Sequence, residues 1–154
     1  MMTLLEPASL LNQMTEGVYA TDTDRRIVYW NAAAERITGY SAEEVIGRQC
    51  RDNILMHETK DGKRLCGFNE CPMYRAICTC QRLQVPMVVY ARHKDGHRIP
   101  LHVSVAPYAD ETGAVVGGIE VFRDLSTSMF DYERARDISA TFCRRRGPTT
   151  RASN

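Results

Sequence analysis

The spacing of hydrophobic positions changes several times along the chain, and each change marks an element. In residues 3–14, Leu4, Leu11 and Met14 fall near helical spacing and Pro7 suits an early turn, which predicts an amphipathic helix. "EGVYATDTDRRIVYWN" then reads as two short strands, Gly17–Thr21 and Arg26–Trp30, around a polar turn. "NAAAERITGY" predicts a short helix ended by Gly39. In "SAEEVIGR", Ser41 with Glu44 three residues on forms a capping-box signature, and Gly47 closes that helix. Residues 52–63 are polar and irregular, with a turn at Asp61-Gly62, and Pro72 opens a helix running to about Gln81.

Three strands follow. "VPMVVYARH" and "RIPLHVSVAPYA" flank Lys94-Asp95-Gly96, a strong hairpin signal, and "AVVGGIEVFRDLS" is the last strand. Ile99, Leu101, Val103 and Val105 alternate with Pro100, His102, Ser104 and Ala106, so one face points to a core. "STSMFDYERARDISATF" reads as a polar helix over 127–142, capped by Ser126 or Thr127. Two strands, several short helices and three strands predict an α+β fold with helices on one face of an antiparallel sheet.

Composition narrows the picture. A chain of 154 residues, 44% hydrophobic and 25% charged, suits one globular domain with flanking segments. A net charge of +1 gives no reason to expect nucleic acid as a partner, and Arg144-Arg145-Arg146 is too short for a basic patch. No run approaches eighteen apolar residues, so no membrane partner is expected. The N-terminus lacks a basic region before its apolar part and is a poor signal peptide, so the expected compartment is the cytoplasm. Thiols stay reduced there, which weakens a disulfide reading of the cysteines.

Five of the six cysteines crowd into "CRDNILMHETKDGKRLCGFNECPMYRAICTC", residues 50–80. Cys50, His57, Cys66 and Cys71 lie within twenty-two residues, and Cys66 and Cys71 are separated by four. Two thiolates on one short loop can converge on an ion at about 2.3 Å. Cys71 precedes Pro72 at a helix start, where the helix dipole favours thiolate, and Gly67 permits a tight turn. Three thiolates and one imidazole suit structural zinc or an iron–sulfur cluster with one histidine ligand. Two alternatives stand beside metal: separate buried thiols, and a thiol switch or oxidoreductase using Cys66 and Cys71. The oxidoreductase lacks a Cys-x-x-Cys motif and a βαβ context. Cys78, two helical turns from Cys71, is expected in the core beside Met73 and Ile77, with ligation as its alternative; Cys80 and Cys143 are read as incidental. His93 and His97 are expected as solvated hairpin residues, and His102 faces outward.

"YATDTDRRIVYWNAAAERITGYSAEEVIGR" resembles the opening of a PAS domain of the S-box type. The carrying features are the Trp30-Asn31 junction, the Ala-Ala-Glu-Arg helix, the Thr38-Gly39-Tyr40-Ser41 break and the helix running to Gly47. "HKDGHRIPLHVSVAPYADETGAVVGGIEVFRDLS" resembles the closing hairpin and last strand, so the likeness spans about residues 12–126. It implies a five-stranded antiparallel sheet with helices cupping one face, and a sensory or regulatory role, including regulation of transcription, rather than catalysis. Asp124-Leu125-Ser126 resembles the junction that passes a signal from the last strand to an output helix. The implied organisation is a flanking helix at 1–14, a PAS domain at 15–126 with a Cys/His-rich insert at 50–80, a signalling helix at 127–142 and a disordered tail at 143–154. Homodimerisation through residues 3–14 and 127–142 is expected, with an output domain or partner signalling protein as receiver.

The cysteine-bearing PAS variant is often followed by a diguanylate cyclase (GGDEF) domain, whose signature this sequence does not contain. Haem and flavin are poorly supported. Only His57 lies where a haem ligand usually comes from, and Cys50-Arg51 only echoes the Asn-Cys-Arg-Phe-Leu helix of flavin-binding relatives. No paired carboxylates, Ser-His-Asp order, phosphate loop or His-Glu-x-x-His motif offers another chemistry.

Overall fold

A computed structural model describes residues 5–66, 69–84 and 88–128. The chain forms α1 (Pro7–Asn12), β1 (Gly17–Asp22), β2 (Ile27–Trp30), α2 (Ala32–Thr38), α3 (Ala42–Val45), α4 (Pro72–Thr79), β3 (Leu83–Gln84), β4 (Val89–Arg92), β5 (Arg98–Ala109) and β6 (Val115–Asp124). The strands make one antiparallel sheet in the order β2-β1-β6-β5-β3, with β4 also on β5. The five strand positions match the expectation. The outermost is split, because β3 and β4 pair with β5 two residues out of register. The last strand, β6, lies at the centre of the sheet.

Local chemistry explains the element ends. Asn31 caps α2 through Ala34 N–H, and Gly39 ends it with φ of 79°. Ser41 and Glu44 form the predicted capping box on α3, which stops at Val45, earlier than Gly47. Pro7 opens α1, a shorter helix than residues 3–14 suggest. Asn31 also ties the N-terminal segment down: its carbonyl accepts from Val18 N–H at 2.9 Å, and its amide donates to Leu11 and Glu16 carbonyls at 2.8 and 3.1 Å.

Alternation along β5 buries Ile99, Leu101, Val103 and Val105, as the pattern predicts. They pack with Tyr19, Trp30, Ile54, Leu55, Met73 and Phe122 into one core. Each such burial contributes about 1.5–3 kcal/mol. Tyr19, Trp30 and Phe122 sit in tilted contact, with centroids 5.6–6.4 Å apart. Helix α4 packs on both β5 and β6. A Cβ at Gly118 would stand 2.3 Å from Met73 Sδ, so glycine there lets α4 lie close against the central strand.

The described residues fall into two units, Met1–Asp124 and a second from Leu125. In the second, Ser126–Ser128 are helical, so Ser126 lies inside the helix. The remainder of the 127–142 helix, the 143–154 tail and Cys143 lie outside the described residues.

Candidate functional site

The segment from Cys50 to Cys66 folds back as a clasp. Leu65 N–H donates to His57 carbonyl at 2.8 Å, and Thr59 N–H to Lys63 carbonyl at 2.8 Å, around the expected Asp61-Gly62 turn. Glu58 pairs with Tyr90 through two backbone hydrogen bonds of 2.9 Å, which attaches the clasp to β4. Arg98 reinforces this: its guanidinium pairs with Glu58 at 2.6 Å, reaches the Thr59 and Lys60 carbonyls, and stacks over Tyr90 at 4.3 Å. Met56, just before His57, takes a φ of 48°, an uncommon conformation for such a residue. The pinned clasp holds this turn and directs His57 inward.

All four residues singled out in the sequence are buried: Cys50 at 2%, His57 at 3%, Cys66 at 4% and Cys71 at 2% exposure. His57 N–H donates to Cys66 Sγ at 3.1 Å. Cys71 is the N-cap residue of α4, without a side-chain cap bond. Burial pushes the Cys66 thiol up to about 12 and Cys50 well above its usual range, and the neighbouring thiols and Glu120 add to both shifts. The three sulfurs therefore share one buried neighbourhood. They are not drawn into a closed ligand set: among the described residues, the group with three possible ligand atoms within 4.8 Å is His93, Asp95 and His97.

Two buried groups join the cluster from the sheet. Glu120 on β6 has no exposure, and its Cα partner on β1 is Tyr19. Tyr19 hydroxyl donates to Glu120 Oε2 at 3.0 Å, while Glu120 Oε1 lies 3.4 Å from His57 Nε2. Neither Oε1 nor Nε2 has a hydrogen-bond partner. Desolvation raises Glu120 to about 8, partly offset by Tyr19, and lowers His57 to about 4. Burial thus favours two neutral groups over an ion pair, whose desolvation would cost several kcal/mol. Sequence reading missed Glu120. The signal was there: counting by twos from Phe122 puts Glu120 on the inward face.

The donor set fits a thiophilic metal. Three thiols and an imidazole are buried together, and an imidazole nitrogen faces an orphaned carboxylate oxygen. An ion bonded at 2.0–2.3 Å would require the four side chains to draw together.

Cys78 is corrected. It is exposed, because the core face of α4 is carried by Pro72, Met73 and Ala76 with Ile77 beside them. Cys78 lies one turn from exposed Tyr74. Cys80 is also exposed. His93 and His97 are more organised than expected: their rings stack at 4.5 Å and both Nδ1 atoms approach Asp95 Oδ1, at 3.1 and 2.5 Å. Asp95 also accepts from His97 N–H, so turn hydrogen bonding accounts for this cluster. His102 is partly exposed on the outer face of the sheet, as expected.

Residues 5–125 match the family profile of the PAS fold. The chain belongs to the PAS family. The PAS domain is 33% identical over 110 residues to the bacterioopsin transcriptional activator of Halobacterium salinarum, covering 71% of this chain and 15% of that protein. It superposes on the PAS domain of a Colwellia psychrerythraea protein with a TM-score of 0.63, at 22% identity, covering 78% of this chain and 94% of the other. It is also similar to the LOV domain of the blue-light activated histidine kinase of Erythrobacter litoralis: TM-score 0.58, 25% identity, coverage 73% and 98%. PAS domains are typically sensory, and these relatives include a transcription regulator and a histidine kinase. No helix among the described residues is long and apolar enough to cross a membrane.

Proposed function

We propose that this PAS domain is a sensory or regulatory module whose Cys50, His57, Cys66 and Cys71 bind a metal, as zinc or as an iron–sulfur cluster. The observation that carries the reading is the joint burial of Cys50, His57 and Cys66 in the clasp and of Cys71 at the start of α4, with His57 facing Glu120 of the central strand. Zinc would be redox-silent and would staple the clasp, whereas a cluster would report on redox state. The chain's own residues supply the rest: Arg98 and Glu58 hold the clasp to the sheet, and Cys71 begins the helix that lies on Gly118 of β6. A change in the clasp would bear on β6 and so on Asp124, Leu125 and Ser126, where the signal would leave for the following helix. Exposed Leu5 and Leu10 support dimerisation through the N-terminal flank, with an output domain or signalling protein as receiver. The metal-free alternative, thiol chemistry at Cys66 and Cys71, is disfavoured at Cys66, where burial raises the thiol to about 12 and leaves a poor source of thiolate at neutral pH.

Anaerobic purification, a visible spectrum and elemental analysis test the reading. One zinc per chain selects the staple, and brown protein with iron and sulfide selects the cluster. Colourless, metal-free protein that folds normally in chelator defeats both.

A further inference from the structure

We infer that Glu120 is a positioning residue for His57, tying the clasp site to the central strand. The inference rests on the metal reading above. A glutamate is out of place on this face. It stands in the middle strand, flanked in register by Tyr19 and Val105, both buried, and opposite no lysine or arginine. Burying a carboxyl group there is unfavourable relative to an apolar residue, so packing gives no reason for it.

Its two oxygens are held unequally. Tyr19 hydroxyl, fixed on β1, takes Oε2 at 3.0 Å. This leaves Oε1 directed to His57 Nε2, 3.4 Å away, and neither atom has a hydrogen-bond partner. The backbone of His57 is fixed separately, by its N–H to Cys66 Sγ and its carbonyl to Leu65 N–H. With the backbone held by the clasp and Nε2 facing the Glu120 carboxyl, the ring has a preferred orientation in which Nδ1 is the nitrogen left for an ion. A carboxylate on the far nitrogen of a ligating histidine fixes tautomer and orientation, and its loss typically weakens metal binding 10–100-fold. Tyr19, Glu120 and His57 thus form a chain of contacts from β1 through β6 into the clasp.

The test is metal affinity in the full chain, read by competition between the protein and a chromophoric chelator for Zn(II), with the Co(II) absorption spectrum as a second readout. Glu120→Gln keeps the shape and removes the carboxylate; it should weaken Zn(II) binding 10–100-fold and shift the Co(II) bands. Tyr19→Phe releases Oε2 and should act in the same direction, more weakly, and it decides the matter if Glu120→Gln does not fold. A merely structural role would alter the melting temperature but leave the Co(II) spectrum unchanged. Wild-type protein that binds Zn(II) while both variants bind within threefold of it, with unaltered Co(II) spectra, overturns this inference alone. Wild-type protein that binds neither ion overturns the metal reading and this inference with it.

Discussion

Glu120 makes the metal-free protein lose stability as pH rises through neutrality. Its folded pKa of about 8 lies above the ordinary value of 4.5, so its contribution is fully present below 4.5 and is lost as pH rises through 8. His57 has the opposite sign: its folded value of about 4 lies below 6.5, so its contribution is present above 6.5 and lost as pH falls through 4. Between 4.5 and 6.5 the two slopes oppose each other. Between 6.5 and 8 only the Glu120 slope remains, and at about 1.4 kcal/mol per pH unit it amounts to about 2 kcal/mol. Burial raises Tyr19, Cys50 and Cys66, which also neighbour Glu120, above this window. The assay is urea unfolding of chelator-treated wild type and Glu120→Gln at pH 6.5 and 8. Wild type should lose about 2 kcal/mol more than the variant across that step. Equal pH dependence in the two proteins would refute the argument that Glu120 is buried and protonated.

Three further substitutions test the scaffold. Asn31→Ala removes the α2 cap and leaves the Val18 N–H unpaired in a buried site, so urea unfolding should show a loss of about 2–4 kcal/mol. Gly117→Ala places a Cβ 1.8 Å from the Thr21 carbonyl oxygen, a backbone atom that cannot move without parting β1 from β6. It should cost about 3 kcal/mol or more, or prevent folding, as judged by circular dichroism and urea unfolding. Gly113→Ala meets open space and carries only the left-handed turn penalty at φ 85°, so the same measurement should show a loss of about 1 kcal/mol.

The fold was legible because its signals are local and mutually consistent. Alternation along β5, the Ser41–Glu44 box and Gly39 each specify their element without help from distant residues. The split of the outer strand into β3 and β4 was not legible, because the two-residue register change depends on what β5 offers across the sheet. At the site, spacing singled out Cys50, His57, Cys66 and Cys71, and the fold buries all four. Spacing alone misassigned Cys78, since proximity to Cys71 in helical turns does not say which face the core takes. Glu120 was overlooked because a charged residue in a strand is ordinarily read as outward. The β1–β6 register turns it inward opposite Tyr19. The pairing of His93 with His97 likewise depends on Asp95, whose backbone N–H donates to His93 Nδ1 while its carboxylate accepts from His97 N–H.

The ligand assignment at the centre of this account is tested most directly by metal stoichiometry across the cysteine variants. Cys50→Ser, Cys66→Ser, Cys71→Ser and His57→Ala, purified beside wild type, should each lose most of the roughly one metal site per chain expected of a single tetrahedral centre. Cys78→Ser and Cys80→Ser, at exposed positions, should retain it. Full metal content in the first four variants, or its loss in the last two, would contradict the assignment.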